Sequence, residues 1–590
     1  AWGADPYCPA YPHARRAAHE ARLELEQAAA AFAAQARIAR SRSAASQPQP
    51  QASANFIDDF IFGKMAADRV TPAAAATDTE FLRRVMLDLT GRIPTPQQVE
   101  EFLVDARPNK RSLWIDSLIG SPAFVDYWTW WFGDRFEVGT TYYQYISIPA
   151  RNLFHAWLRD FVGRDRPYRE VVAELIAAAG DTTESGPPNF ILRALQQGEP
   201  PQDTWDVLTN AITETFLGVQ TQCVSCHDGR RHLEEINLYL VQRRRQDFFR
   251  QSAFLARLQI ADVTLHGGQQ RKAIVTDRAS GYYHGVVQLA NPGARPPRLG
   301  IYEPTYLFNG ARPRSGEWRR ELGRILTEDR QFARATVNFL WAHFFRVGIV
   351  DPADGWDLTR IDPANPPPTP WTLQPSNPQL LEALADEFIR SGYSIRRMIR
   401  LMVESNAYQL SSRYPSTWRP EYARYFAKHT PRRLAAEELY DAVITATLTE
   451  KPMFLDGFDE PFYYAIQLPD PTEPRNDGQI RSFLTNFGRG DWFRTPRNSQ
   501  SNVVQVLYIM NDNMINYRTF GAQVRSGNSR VARLATAPVS EADAVRGLYL
   551  ATADGGEPRL LAEDVDTMSP RFSPDGAWIV YVTIDQKIRI

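Results

Sequence analysis

The sequence predicts a mainly α-helical protein: two helical domains with a small β-rich insertion and a C-terminal β segment. Three observations predict it. Helix-capping signals recur in close succession from Thr77 onward, and apolar residues recur at helical spacing over residues 330–347 and 378–403. Glycine, proline and β-branched residues instead concentrate in 260–309 and again after residue 547. At 590 residues the chain exceeds a single core, since a domain takes roughly 100–200 residues.

Residues 1–55 read as an arm and a linker. Residues 14–42 are rich in Ala, Arg and Glu, which favours a helix while offering little to bury. Residues 43–54 are polar, low in complexity and contain proline, as linkers are. The first helical domain is expected over 56–259. Thr77 with Glu80 has the form of a capping box, Gly91 supplies the stop, and Thr95 with Gln98 repeats the cap behind Pro96. Residues 121–143 carry Trp128, Trp130, Trp131, Phe132, Phe136, Tyr142 and Tyr143, aromatic density that suits either a cofactor wall or an ordinary core. The insertion is expected over 260–311 and the second helical domain over 312–520, with a proline-rich loop at 362–370. Residues 521–590 read as a linker and strands joined by turns at Asp554-Gly-Gly and Pro574-Asp575-Gly576.

Lys plus Arg (67) and Asp plus Glu (68) nearly cancel, so no net field draws the chain to nucleic acid, and no such partner is expected. No stretch of about 20 apolar residues suggests a transmembrane segment. The chain starts at Ala1 without a Met or a basic leader, as signal-peptidase cleavage or trimming would leave it, so export is an expectation.

Only three cysteines occur, Cys8, Cys223 and Cys226, too few for a disulfide framework. Residues 203–228 read DTWDVLTNAITETFLGVQTQCVSCHD, with Trp205, Leu208, Ile212 and Val219 on a helical repeat. A helix running on through the motif would put Cys223, Cys226 and His227 at i, i+3 and i+4, on one face. Cys-x-x-Cys-His is the attachment pattern of one c-type haem: Cys223 and Cys226 form thioethers and His227 is the proximal iron ligand. Three other readings stay open. Cys223, Cys226, His232 and one further ligand would make a zinc site, a redox pair would use the two thiols alone, and a structural disulfide or unmodified thiols would use neither metal nor haem. His343 in NFLWAHFF, His232, His266, His284, Met510 and Met514 are the candidates for the distal iron position. Arg230, Arg231, Arg243, Arg244 and Arg245 suit either haem propionates or a solvated face. No phosphate loop, His-Glu-x-x-His helix or Gly-x-Ser-x-Gly elbow occurs, which leaves nucleotide, zinc-protease and hydrolase chemistry without a foothold.

FIDDFIFGKM, FLRRVMLDLTGRIPTPQQVEEFL and FLGVQTQCVSCHD together resemble the planctomycete cytochrome-like domain of the PSCyt group. ELGRILTEDRQFARATVNFLWAHFFRVGIVDP, NPQLLEALADEFIRSGYSIRRMIRLMVESNAYQ, PRRLAAEELYDA and NVVQVLYIMNDNMIN are similar to the PSD-group domain that follows it in those proteins. The resemblance covers about 56–516 and implies an exported bacterial protein, periplasmic or at the cell surface, without naming a reaction. His343 matches the Trp-Ala-His-Phe of that family and stands slightly ahead of the other distal candidates. Two departures are visible: Asp228-Gly229-Arg230-Arg231 replaces the family's Asp-His-Pro-Phe, and Ser376-Asn377-Pro378-Gln379 replaces its Ser-His-Pro-Glu. SPRFSPDGAWIVYVT resembles one TolB-like propeller blade. One blade cannot close a propeller, so either the chain continues beyond Ile590 or these strands pack on something else.

The resulting expectation is an exported mono-haem cytochrome-like electron carrier, a subunit of a larger assembly with protein partners and an unnamed redox partner. The alternatives are a scaffold in which the motif is a zinc site or disulfide, and an enzyme using an open haem position.

Overall fold

A computed structural model describes residues 53–140, 147–196, 200–264, 271–284, 300–490, 497–498 and 503–511, and the strands after 546. The arm, most of the linker, Cys8, His266 and Met514 lie outside the described residues.

The first helical region is built from short capped helices. Asn55 caps α1 (Phe56–Ala67), and Thr77 caps α2 (Asp78–Thr90), which stops at the left-handed Gly91. A Cβ at Gly91 would meet the Tyr127 ring at 2.6 Å, so glycine serves both the turn and the close approach. The box at Thr77 is only half made. Glu80 turns its carboxylate to Ser411, Ser412 and Arg84, tying α2 to a distant loop. The second box, Thr95 with Gln98, closes over α3 (Pro96–Val104) as the sequence predicts. There follow α4 (Lys110–Leu118), α5 (Pro122–Arg135), α6 (Ile148–Arg164), α7 (Tyr168–Ala177), β1 (Gly180–Asp181), α8 (Pro188–Leu192) and α9 (Pro201–Leu217). The aromatic run on α5 is core: Trp128 and Phe132 are buried, and Phe132 meets Phe161 and Tyr168.

Two short helices, α10 (Gln222–Cys226) and α11 (Leu238–Val241), then α12 (Arg245–Ser252), lead into the strands. β2 (Leu258–Thr264) and β3 (Arg271–Asp277) pair antiparallel, with Leu258 opposite Asp277. β1 adds on the other side of β3 with Gly180 opposite Val275, giving the order β1-β3-β2. β4 (Tyr283–His284) pairs with β5 (Ile301–Tyr302). The expected β-rich stretch is thus stitched to the first helical region through β1.

Helices return with α13 (Trp318–Glu328), α14 (Arg330–Phe345), α15 (Pro378–Arg390) and α16 (Ile395–Glu404). α14 packs against α9, α13, α15 and α16, so one helix joins both halves. One continuous apolar core runs from Ile57 on α1 to Ala427, and also takes in Ile466. A second, smaller core is formed by α17 (Ala436–Thr447), α18 (Gly478–Asn486) and the segment between them. α19 (Val503–Asn511) follows, and Met510 falls within it. In the C-terminal segment β6 (Gly547–Leu550) pairs antiparallel with β7 (Arg559–Glu563), and β8 (Arg571–Phe572), β9 (Ile579–Val582) and β10 (Ile588–Arg589) form a second antiparallel set. The fold is mainly α. No helix of the described residues is long and apolar enough to cross a membrane.

A buried ionic network crosses the junction. Arg346, in the left-handed conformation at the end of α14, donates to Asp88 of α2 at 2.8 Å, and the Tyr408 hydroxyl donates to the same carboxylate at 3.0 Å. Arg432 lies 3.4 Å from Asp88 and also clasps Glu438 of α17. Burial pushes the Asp88 carboxyl up, but Arg346, Arg432 and the Tyr408 hydroxyl outweigh it and hold its pKa below the ordinary carboxylate value. A carboxylate so depressed adds stability that is complete above its unfolded pKa and is lost as pH falls through the folded one. Asp88→Asn strands the buried Arg346 guanidinium, while Arg432 keeps Glu438, so we expect it to cost about 3–5 kcal/mol in denaturant unfolding at pH 7, with the loss shrinking in acid.

Candidate functional site

The Cys-x-x-Cys-His motif sits in a loop between two helices. α9 ends at Gly218, whose φ of 68° is left-handed, and a Cβ there would run into the Trp356 ring. The expected single helix through the motif is therefore broken, and the stop signal was present in the sequence as Phe-Leu-Gly. Thr221, buried, restarts the chain by donating to Asn210 Oδ1 at 2.8 Å. The new helix α10 is barely more than one turn. Within it Cys223 and Cys226 stand at i and i+3, and Val224 is the buried anchor. Cys223 is half-buried, Cys226 is exposed, and the two sulfurs are not joined to each other.

His227 does not share the helix. Its φ and ψ, −150° and 167°, are extended, so the expectation of three residues on one helical face is corrected: the thiols share a face and the imidazole leaves it. Backbone bonding explains the exit. After α10 the chain must carry Gly229 to Leu240 and Arg243, where the Gly229 N–H donates to the Arg243 carbonyl at 2.9 Å. A Cβ on Gly229 would run into the Leu240 carbonyl, so this glycine serves close backbone approach. His227 Nδ1 lies 2.8 Å from the carbonyl of Asp228. A carbonyl only accepts, so this bond protonates Nδ1 and leaves the Nε2 lone pair available, the tautomer that metal-ligating histidines adopt. The His227 ring lies 4.4 Å from the ring of His232, centroid to centroid.

Two of the five arginines brace this loop. The backbone N–H of Arg245 donates to Asp228 Oδ1 at 2.8 Å, its Nε donates to the Ser225 carbonyl at 3.1 Å, and its guanidinium lies over Phe249 at 4.9 Å. Arg243 lies over Tyr239 at 4.2 Å. Arg230, Arg231 and Arg244 are exposed.

The second helical region holds the loop from outside, which sequence reasoning missed. The Asp357 carboxylate accepts from the N–H groups of Leu238 at 2.8 Å and Tyr239 at 3.0 Å, and Asn237 donates to the Trp356 carbonyl at 2.9 Å. Burial pushes the Asp357 carboxyl above its ordinary value, against these donors. Only the Gly355-Trp356-Asp357 run, a turn signal before a short helix, hinted at this contact.

His343 belongs to a different place. Its ring is walled by Trp128 at 5.1 Å, Tyr127 at 5.8 Å, Trp131 at 6.0 Å and Phe344 at 4.9 Å, and its Nε2 lies 3.4 Å from the Asp88 carbonyl. Burial, with Arg346 nearby, pushes its pKa down to about 3, so it is a neutral, half-buried imidazole at the junction of α2, α5 and α14. His284 is exposed on β4. The histidine beside the motif is His232. Among the described residues no group of three or more His, Cys, Asp and Glu side chains is gathered as a metal site. The donor set itself suits a covalent porphyrin: two reachable thiols one turn apart and an adjacent imidazole with Nε2 available.

Asp357→Ala would leave two buried N–H donors without their acceptor, at about 1–3 kcal/mol each. We expect amide hydrogen exchange over 238–243 to quicken at least tenfold while exchange in α2 stays unchanged.

Residues 56–258 match the family model PSCyt2, a protein of unknown function (DUF1549), and residues 318–553 match PSD1, a protein of unknown function (DUF1553). The second match runs past residue 520, where the second domain was expected to end. These matches lend no support to the propeller-blade resemblance of the last segment. No curated protein matches the chain, and no solved structure does. Through its two helical regions, then, the chain is similar to PSCyt2 and PSD1 in that order, the planctomycete cytochrome-like domain and the domain that follows it.

Proposed function

We propose that this chain is an exported, mono-haem c-type cytochrome-like protein that transfers single electrons as a subunit of a larger assembly, in the periplasm or at the cell surface. One observation carries the reading. Two thiols stand one helical turn apart, next to a histidine whose Nδ1 is held by a carbonyl so that Nε2 can bind iron. Cys223 and Cys226 would hold the porphyrin by thioethers and His227 would hold the iron. The group supplies one-electron redox chemistry when bound.

The chain's own residues do the positioning. Asp228 serves twice, its carbonyl orienting His227 and its carboxylate accepting from Arg245. Trp356 and Asp357 fix the far side of the loop, so the PSD1-like region sets the geometry of a motif it does not contain. Cys226 is exposed, which supports a cofactor held near the surface, from which an electron would pass to a partner protein.

The second reading is a scaffold in which the motif carries no cofactor and the helices dock other subunits. The outward Val504 and Val506 of α19, 61% and 56% exposed, favour it.

One experiment separates them. The protein is produced with an export signal in a host that matures c-type cytochromes, and run on a denaturing gel stained for haem. The electron-carrier reading expects a stained band at full length, lost in the Cys223→Ser, Cys226→Ser double variant, and c-type absorption bands after reduction. A full-length band without stain or bands overturns it in favour of the scaffold.

A further inference from the structure

A second surface lies away from the motif, on the loop that follows α17. There Met453 and Phe462 pair antiparallel, each N–H donating to the other's carbonyl, at 2.7 and 2.9 Å. Successive residues of such a pair face opposite ways. Met453 and Phe462 turn inward onto the smaller core, so their neighbours Phe454 and Tyr463 turn outward, 65% and 44% exposed. We propose that this aromatic face, with the acidic loop beside it, is a docking surface for a basic segment of a partner protein, one that carries arginine or lysine among apolar residues. It stands apart from the redox reading and does not depend on it.

The face is held in shape from beneath. Gly457, at a left-handed φ of 77°, makes the turn, and Asn152 of α6 donates to the carbonyls of Asp456 at 3.0 Å and Gly457 at 3.3 Å. Phe458 turns inward, with ring centroids 4.9 Å from Phe462 and 6.2 Å from His155. A loop so braced loses little conformational freedom when a partner docks.

Exposed rings alone do not name a partner, and the charge does. Residues 448–463 hold four carboxylates and one ammonium. Lys451 is taken by Asp477 at 2.6 Å, and Glu450 accepts from the Tyr464 hydroxyl at 2.7 Å. Asp456, Asp459 and Glu460, in the stretch that the Met453–Phe462 pair closes, are exposed and have no ion pair among the described residues. Carboxylates attract a guanidinium or an ammonium, while ring faces take its apolar stem and stabilise its charge from the side. A neutral ligand would leave three charges unused, and an anionic membrane surface would be repelled by them. The whole chain carries a net charge of only −1, so the surplus is local to this loop.

The test is calorimetric titration of the full chain with capped octapeptides of arginine and leucine, the arginines standing one, two or three residues apart, and with the matching glutamate–leucine peptides. We expect an arginine pattern to bind saturably at one equivalent and to weaken as salt is raised, and no glutamate pattern to bind. Phe454→Ser with Tyr463→Ser should weaken binding at least tenfold, and so should Asp456→Asn with Asp459→Asn and Glu460→Gln. Both variants should keep their melting temperature, since all five side chains already face solvent. If the aromatic pair fails to fold, Phe454→Ser alone takes its place with the same expectation. Removing three exposed carboxylates elsewhere, by Asp59→Asn with Glu184→Gln and Glu303→Gln, should leave binding unchanged. Absence of saturable binding by every arginine pattern overturns the proposal, as does wild-type affinity in either loop variant or an equal loss in the control. So does sedimentation with phosphatidylcholine vesicles, or formation of a dimer, that the aromatic variant abolishes: the face would then belong to a membrane or to a second copy of the chain.

Discussion

A carboxylate buried between two guanidinium groups constrains how the halves of this protein meet. Asp88 comes from α2, Arg346 from the end of α14, and Arg432 from the stretch before α17, so one acidic side chain ties three remote parts of the chain. Each charge would be intolerable alone in that place, and together they are acceptable only in one arrangement. The surrounding core follows from it. With α2 held against α14, Trp128 and Trp131 close over the neutral His343, and Tyr408 reaches the same carboxylate.

The motif loop inherits that arrangement. Because α14 also packs on α9, the loop that follows α14, residues 353–357, comes to lie against the end of α9. Gly218 leaves room for Trp356 and breaks the helix, and Asp357 then supplies a carboxylate to the N–H groups at the start of α11. The short helix with its two cysteines is thus held between supports from both regions. This gives a physical reason for the two domains to occur in one chain: the first carries the motif and the second completes the cage of hydrogen bonds around it.

Much of the secondary structure was readable in advance because it is local. Thr95 with Gln98, Gly91, and the apolar spacing of α14 and α15 act through neighbours three or four residues away. Where long-range partners compete, the local reading gave way. Glu80 abandons its cap for Ser411 and Ser412 because a buried loop offers it better donors. Gly218 was a stop signal passed over, since the apolar repeat continues to Val219, and only the Trp356 ring shows why a side chain is excluded there. His343, ahead of other distal candidates by its resemblance, is a half-buried residue packed against Trp128, some two hundred residues earlier in the chain.

By itself the sequence determined the helical class, the strands after residue 257 and in the last segment, and the identity and spacing of Cys223, Cys226 and His227, because each is written in contiguous residues. Only the tertiary structure decided that the two helical regions share one core, that His227 leaves the helix beside His232, and that Asp357 braces the motif. The reason is one of range. Capping and periodicity act within a turn of helix, whereas burial of charge, close backbone approach and the pairing of polar groups depend on which distant segments pack together.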